Sequence, residues 1–347
     1  MKYTRMPIEI ESPEEYGYDK IKYNLSESSV ADKTLGDLGL KIPDLKLLYN
    51  EHKGGSRLRE LVVADEPNLD KEDVLITAGA AGALFIIATS QLSRDDHLVV
   101  VRPNYATNLE TPRAIGCEIS FVDVDFDSGY QFTISPVEAA IRPNTKLISV
   151  TAPHNPTGTL MSRSTLDELV QLTTDKGTLL LVDETYADIT YEHKLPIAAS
   201  LGDHVLSVAS LSKSYGIPGI RLGWVITKNA KLQVTFLAAK EQISISGSVV
   251  DEWIAEQVLS RKKEILQASI VEMRTRRAIV EAWIEGEPLL EWIKPTGGIV
   301  CDEISRSAKA HTQKCHRSAK ADSPANRLTA MKKRRTLDVY IIDGISH

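Results

Sequence analysis

The amino-acid sequence predicts an α/β protein built on a mostly parallel sheet. Short apolar runs recur along the chain, and segments with helical periodicity lie between several of them. This alternation is typical of parallel strands joined by crossover helices. The composition agrees, because 42% hydrophobic and 25% charged residues are ordinary for a globular protein. A chain of 347 residues is long enough for one large domain and a smaller one.

Seven of the apolar runs are expected to form buried strands. Their ranges are 74–77, 97–103, 118–125, 146–151, 178–183, 205–210 and 222–227. Helices are expected between them at 80–92, 135–141 and 162–176. Amphipathic helices are expected to follow at 233–241, 249–259 and 262–284. The last of these is long enough to join two domains.

Charge and composition narrow the class of protein. The formal net charge is −6, so the chain as a whole is not built to attract nucleic acid. No apolar run is as long as a membrane span, and the first residues lack the apolar core of a signal peptide. The three cysteines are few and irregularly spaced, and they match no standard zinc pattern. We expect a cytoplasmic protein without a metal site that binds neither nucleic acid nor membranes.

Lys213 is the most informative residue, because it lies in a Gly-rich turn between two predicted buried strands. A lysine there is costly unless it is neutralised or bonded. A Schiff base with an aldehyde would remove that cost. Ser210 and Ser212 precede the lysine and Arg221 follows it, so these three side chains can converge on one phosphate while Lys213 reaches a carbonyl carbon. The other interpretation is a surface lysine in a loop.

The segment from Ser210 to Gly223 resembles the lysine motif of class I and II aminotransferases. In both, a lysine between small residues is followed by Gly, Pro-Gly, Arg and Gly at fixed intervals. The resemblance implies pyridoxal 5′-phosphate (PLP) as the cofactor, bound to Lys213 through a Schiff base. It also implies the fold of fold-type I PLP-dependent transferases, with a mostly parallel seven-stranded sheet in a large domain and a smaller α+β domain.

Two predicted strand ends carry residues that suit a phosphate and a flat ring. Gly79, Ala80 and Ala81 open a helix directly after a strand, where small residues let backbone N–H groups approach an anion. Taken alone, this segment is equally a simple tight turn. The resemblance implies that it holds the cofactor phosphate. It also implies that Tyr105, after the next strand, stacks on the cofactor ring.

Two further strand ends carry polar residues that suit the same cofactor. Asn155 lies in the sequence Pro-His-Asn-Pro-Thr-Gly at 153–158, which resembles the family's Asn-Pro-x-Gly signature. Asp183 ends a buried strand, where a carboxylate needs a positive partner. By resemblance, Asp183 would pair with the protonated ring nitrogen. Asn155 and Tyr186 would hydrogen-bond the 3-oxygen of the ring.

The resemblance also extends towards the N-terminus. The pattern Tyr49-x4-Gly54-x3-Leu58-Arg59 is similar to one in the family whose tyrosine reaches the phosphate of the neighbouring subunit. This implies a homodimer with Tyr49 as a cofactor-binding residue. Residues 24–29 lie where the family places a loop over the substrate.

The predicted domains are unequal. Residues 1–44 would belong to the small domain, 45–282 to the large PLP-binding domain, and 283–304 to a remnant of the small domain. Residues 305–347 form a basic segment with ten Lys and Arg against three Asp and Glu, and 305–336 contain no Val, Ile, Phe, Tyr or Trp. Such a composition does not support folding. We expect a disordered tail in place of the region where the family binds the substrate carboxylate; a functional basic tail is the rival interpretation.

These motifs predict a PLP-dependent aminotransferase acting on an amino acid and a 2-oxo acid, with Lys213 as general base and acid. Two segments indicate an alternative, a lyase or cyclase resembling capreomycidine synthase. They are Ser-Glu-Ser-Ser-Val at 26–30 and Thr-Leu-Gly-Asp-Leu at 34–38. A third hypothesis is a PLP-binding protein whose catalysis is impaired because the carboxylate-binding region is replaced.

Overall fold

The computed structural model describes residues 1–10, 12–22, 27–301 and 303–305. Its centre is a seven-stranded sheet in the order β1-β7-β6-β5-β4-β2-β3. The strands are β1 Val74–Thr77, β2 His97–Arg102, β3 Glu118–Asp123, β4 Thr145–Thr151, β5 Leu179–Asp183, β6 Val205–Ser210 and β7 Gly223–Ile226. Six of them run in one direction, and β7 alone is antiparallel to both of its neighbours, β1 and β6. The predicted mostly parallel seven-stranded sheet is confirmed.

Ten helices surround the sheet in the described residues. They are α1 Pro7–Ile10, α2 Pro13–Tyr16, α3 Ser56–Val62, α4 Gly79–Gln91, α5 Thr107–Ile115, α6 Ile134–Ala140, α7 Arg163–Lys176, α8 Ala230–Glu241, α9 Val249–Ser260 and α10 Lys262–Gly286. Short 3₁₀ turns lie at Tyr18–Lys20, Lys71–Asp73, Ala198–Leu201 and Pro218–Ile220. The six helices predicted from periodicity are present, with ends that differ by up to three residues. Helix α5 was not predicted, because its sequence is largely polar and contains Pro112.

The sheet is covered on both faces, which explains why its strands are continuous apolar runs rather than alternating ones. Every residue of β1 and β7 is buried, as are nearly all residues of β2, β4, β5 and β6. Helix α4 packs on one face beside α5 and α8 and buries Ala83, Leu84 and Ile87. The two other hydrophobic clusters lie on the rest of the sheet and under α3, α7, α9 and α10.

Helix α10 leads into a short antiparallel pair, β8 Leu290–Trp292 and β9 Glu303–Ser305. Between these strands the chain passes beside the segment after β5, where Gly297 pairs with Thr190. Ser305, the first residue of the predicted tail, ends β9; the rest of that tail lies outside the described residues. In the described part of the chain, no helix combines the length and apolar character needed to cross a bilayer.

Candidate cofactor site

The predicted site residues gather at one edge of the sheet. Asp183 ends β5 between Thr151 of β4 and Val208 of β6. Gly223 starts β7 between Thr77 of β1 and Ser210 of β6. Because parallel strands end at the same edge, the turns after β1, β2, β4, β5 and β6 all open there, which is where open α/β sheets bind ligands.

Lys213 follows β6 at this edge, and its side chain is 27% exposed. Its Nζ donates to Ser28 Oγ at 2.8 Å and lies 3.7 Å from Glu27 Oε1. The lysine is therefore neither a free surface residue nor wholly enclosed, and its amine faces a segment from near the N-terminus.

A buried hydrogen bond holds the turn that carries Lys213. Tyr215 is fully buried, and its hydroxyl donates to Asp188 Oδ2 at 2.7 Å. Asp188 also pairs with Lys194 and Lys262, at 3.0 and 3.3 Å. Burial alone would raise the pKa of Asp188, but these two lysines hold it at about 2. A charged carboxylate thus ties the lysine turn to the start of α10.

The N-terminal segment packs directly on the same turn. Backbone N–H groups of Val30 and Lys33 donate to the carbonyls of Lys213 and Gly216, at 3.1 and 2.8 Å. Gly216 has φ +65°, and a Cβ built on it would lie 2.3 Å from the carbonyl oxygen of Ala31. Only glycine permits this close approach.

A candidate phosphate cradle lies where α4 meets β7. Gly79 has φ +72° at the start of α4, and a Cβ on it would lie 2.8 Å from Arg221 Nη2. A Cβ on Gly223 would lie 2.7 Å from the backbone nitrogen of Ala80. Gly79 therefore allows the guanidinium of Arg221 to approach the N-terminus of α4, and Gly223 allows the backbone of β7 to approach the same turn.

The charges of the cradle suit an anion. Arg221 is exposed, donates to the carbonyl of Pro218 at 2.9 Å, and has no acidic partner among the described residues. Ser210 and Ser212 are buried beside it, with the backbone N–H of Ser212 donating to Ser210 Oγ at 3.4 Å. A helix N-terminus, an unneutralised guanidinium and buried hydroxyls are the groups that hold a phosphate.

Asp183 is the buried acid of the site. Its Oδ1 accepts hydrogen bonds from Thr185 Oγ1 at 2.6 Å and from the Thr185 backbone N–H at 3.1 Å. Burial raises the pKa of Asp183, and hydrogen bonds from Thr185 and Asn108 limit the rise. Within the described residues no cation pairs with it. Because a buried carboxylate requires a positive partner, this position suits a protonated ring nitrogen.

His154 ties two of the site turns together. Its ring is bonded to Thr157 Oγ1 and to the carbonyl of Pro103, both at 2.8 Å. Burial lowers the pKa of His154 to about 4, so the ring is neutral at pH 7. Since the carbonyl only accepts, Nε2 carries the proton and Nδ1 accepts from Thr157. The turn with Asn155 is thereby fixed to the end of β2, just before Tyr105.

Tyr105 and Tyr186 are held at the same edge. The backbone N–H of Tyr105 donates to Asn104 Oδ1 at 2.8 Å, and that oxygen also accepts from Asn108 Nδ2 at 2.9 Å. Tyr186 is buried, and its hydroxyl donates to the carbonyl of Ser28 at 3.3 Å.

Tyr49 is the predicted site residue that stands apart. Its side chain is 78% exposed, beside Leu47 and Leu48 at 80% and 61%. In the described part of the chain it makes no hydrogen bond to the residues above. Leu47, Leu48 and Tyr49 thus form an exposed, largely apolar stretch.

Residues 24–29 were expected to lie over the substrate, but several individual contacts of the site were not predicted. Ser28 and Glu27 contact Lys213, Thr185 and Asn108 contact Asp183, and Asn104 holds the Tyr105 turn. The hydrogen bond from Thr185 to Asp183 could have been predicted from the sequence, because a hydroxyl two residues after a buried Asp commonly bonds its carboxylate. The contacts of Ser28 could not, because they join positions far apart in sequence.

The sheet, its order and the groups at its edge define a class of protein, the fold-type I PLP-dependent enzymes. The sequence model of aminotransferase class I and II matches residues 56–313, and the chain belongs to this family. Its cofactor is pyridoxal phosphate. Members of the family exchange amino groups between amino acids and keto acids and are typically dimers.

Three relatives illustrate the likeness. Capreomycidine synthase from Streptomyces vinaceus is 26% identical over 81% of this chain and 75% of its own length. The arginine–pyruvate transaminase AruH from Pseudomonas aeruginosa is 28% identical over 67% of this chain and 59% of its own length. The crystal structure of a PLP-dependent aminotransferase from Streptococcus suis has 28% identity and a TM-score of 0.82, covering 88% of this chain and 83% of that one.

Proposed function

We propose that this protein is a PLP-dependent aminotransferase in which Lys213 binds the cofactor covalently. The observation that carries the proposal is the position of the Lys213 amine. It lies partly exposed at the sheet edge that also carries the buried acid Asp183 and the unneutralised Arg221. An amine, an acid and an anion cradle around one edge are the three groups that a pyridine aldehyde phosphate requires.

Each remaining residue has a role that follows from its surroundings. Arg221, Ser210, Ser212 and the N-terminus of α4 at Gly79, Ala80 and Ala81 would hold the phosphate. Asp183 would hold the ring nitrogen in its protonated form. The tyrosine ring of Tyr105 would lie against the cofactor ring, and Asn155 and Tyr186 would donate to its 3-oxygen. When bound, PLP supplies a conjugated ring that takes up the electron pair left at the substrate Cα.

Lys213 would move the proton. As a neutral amine, its Nζ accepts the proton from the substrate Cα; as an ammonium, it delivers that proton to C4′ of the cofactor. One nitrogen on a flexible four-carbon chain reaches both atoms. Its anchor, Tyr215 on Asp188, keeps the backbone of the turn in place while the side chain moves.

The test is to locate the attachment. The full chain is incubated with PLP, reduced with borohydride and digested, and the modified peptide is sequenced. We expect the label on Lys213 and none in Lys213→Ala, which retains noncovalent PLP through Arg221 and the α4 turn. A label on another lysine, or no label, would refute the assignment.

A lyase or cyclase is the second candidate function. The match with capreomycidine synthase supports it, because it covers a larger share of both chains than the match with the transaminase AruH. Product analysis separates the two candidates. A transaminase converts its amino acid to a keto acid and needs an acceptor, whereas a lyase or cyclase does not. Because one relative is named for arginine, that amino acid belongs in the substrate panel.

We also propose that the working form is a cytoplasmic homodimer in which Tyr49 reaches the phosphate of the partner's site. The exposed stretch around Leu47, Leu48 and Tyr49 supports this proposal. Size-exclusion chromatography with light scattering decides it: a monomer that binds PLP as tightly as any dimeric form would exclude the role of Tyr49.

The basic C-terminal segment is proposed to leave cofactor binding intact and to weaken substrate binding. All cofactor residues named above precede residue 222, whereas the family binds the substrate carboxylate beyond residue 304. Replacing 305–347 with the corresponding region of an active relative should restore turnover. Ordinary turnover by the native chain, abolished when the segment is trimmed, would show instead that the segment is functional.

A further inference from the structure

Ser28 lies between two side chains of the proposed site. Its Oγ accepts an N–H of Lys213 Nζ at 2.8 Å, and its backbone carbonyl accepts the hydroxyl of Tyr186 at 3.3 Å. The neighbouring Glu27 carboxylate accepts the Ser28 backbone N–H at 3.0 Å and lies 3.7 Å from Nζ. One residue near the N-terminus thus touches the amine that the proposed reaction depends on.

The position of Ser28 relative to the lysine turn is fixed by the backbone. Val30 N–H donates to the carbonyl of Lys213, and Lys33 N–H donates to that of Gly216. Gly216 admits the segment at a distance that no side chain would allow. Val30 is 1% exposed, and its side chain is part of a buried hydrophobic cluster. The Ser28 hydroxyl is therefore carried by a segment bonded to the turn that bears Lys213.

We propose, building on the function proposed above, that Ser28 is a further catalytic residue, which holds the Lys213 amine towards the substrate Cα. A neutral amine has two N–H bonds and one lone pair. When Ser28 Oγ accepts one N–H, the lone pair remains free and its direction is restricted. The Cα–H bond would then break as the N–H bond forms, and the electron pair left at Cα would be taken up by the conjugated ring that PLP supplies when bound.

The same contact serves the charged form. After Nζ has taken the proton it is an ammonium with three N–H bonds, and Ser28 Oγ still accepts one of them. The Glu27 carboxylate, 3.7 Å away, attracts this positive charge. Both states of the amine are thus held at one place until the proton is delivered to C4′.

The first experiment measures how fast the amine reacts. The full chain is freed of cofactor, mixed with PLP and quenched with borohydride at timed intervals, and the labelled Lys213 peptide is quantified. Ser28→Ala should slow labelling about fivefold, the scale of one net hydrogen bond. Ser28→Thr retains a hydroxyl and should stay within about twofold of the native rate. Ser260→Ala is the control, because Ser260 is an exposed serine at the end of α9 whose Oγ donates to the carbonyl of Gln257.

The second experiment follows the proton itself. Exchange of the α-hydrogen of alanine in heavy water is measured by NMR with the PLP-loaded chain, without a keto acid. Slower labelling and slower exchange in Ser28→Ala alone support the proposal. Native rates in Ser28→Ala, an equal loss in Ser260→Ala, or slower labelling with unchanged exchange overturn it. If Lys213 of the native chain takes no label, the function proposed above fails and this inference fails with it.

Discussion

Two adjacent buried acids at the end of β5, Asp183 and Glu184, are expected to differ in their effect on cofactor binding. Asp183 faces the candidate site, whereas Glu184 accepts the backbone N–H of Ala198 at 2.9 Å, away from it. Both are buried. Asp183→Asn replaces the ionisable carboxyl with little change in volume, and Glu184→Gln does the same one residue later. The two variants therefore separate a carboxyl that meets the cofactor from a buried carboxyl that does not.

The expected effects on affinity differ. Breaking a buried ion pair costs about 3–5 kcal/mol. Because the amide of Asn still offers a hydrogen bond, we expect the lower end for Asp183→Asn, an affinity for PLP reduced by about two orders of magnitude. Asp183→Ala should lose more, and Asp183→Glu less. Glu184→Gln should bind PLP like the native chain.

Both buried carboxyls are expected to make the cofactor-free protein less stable as the pH rises. Burial raises the pKa of Glu184 to about 8, from 4.5 in the unfolded chain. Between those values the folded state holds a proton that the unfolded state has released, so stability falls as pH rises from 4.5 towards 8. The whole loss is at most about 5 kcal/mol. Glu184→Gln removes it and should flatten the pH profile. Burial also raises the pKa of Asp183, so this residue too makes the cofactor-free protein less stable as the pH rises.

Equilibrium dialysis with PLP measures the affinities, and thermal unfolding of the cofactor-free chain between pH 5 and 9 measures the stabilities. The reasoning is wrong if Asp183→Asn binds PLP as tightly as the native chain. It is equally wrong if Glu184→Gln loses as much affinity, since the effect would then belong to the strand end and not to the charge. A Glu184→Gln profile as steep as the native one would contradict the account of its proton.

Three further predictions concern the cradle, the lysine turn and the partner subunit. Arg221→Ala should weaken binding of PLP but not of pyridoxal, which lacks the phosphate; equal losses in dialysis would contradict the cradle. Gly216→Ala should lower the unfolding temperature, because φ is +65° and its Cβ would meet a carbonyl at 2.3 Å; Gly219→Ala, with open space around it, is the control and should not. Mixing Tyr49→Phe with Lys213→Ala subunits should restore one tight PLP site per heterodimer, and a mixture no better than Tyr49→Phe alone would refute sharing.

The sheet was predictable because its strands are buried on both faces and so stand out as continuous apolar runs. The residues after those strands were predictable as a group, because strand ends meet at one edge. Helix α5 was not predicted, because its sequence is largely polar and its internal Pro112 is unfavourable in a helix. The roles of the site residues remain proposals that rest on the resemblance and on the geometry at the edge.

The resemblance placed residues 24–29 over the substrate, but the particular contacts of Ser28 with Lys213 and Tyr186 could not be predicted from the sequence. They depend on how the segment before α3 crosses the lysine turn, and no local pattern encodes that crossing. The network of Asp188 with Lys194 and Lys262 was missed for the same reason, since one of its lysines belongs to α10. Long-range polar contacts carry no periodicity, whereas buried strands do.

The antiparallel pairing of β7 with β6 determines how sequence changes elsewhere in the chain affect the site. It makes β6, the turn and β7 one hairpin, and this hairpin carries both Lys213 and Arg221. The spacing between the reactive amine and the phosphate-binding guanidinium is therefore set within one short stretch of chain. Insertions, deletions or altered ends in other parts of the sequence leave that spacing unchanged as long as the hairpin folds. The ends of such a chain can therefore change extensively during evolution while the hairpin keeps Lys213 and Arg221 at the same spacing.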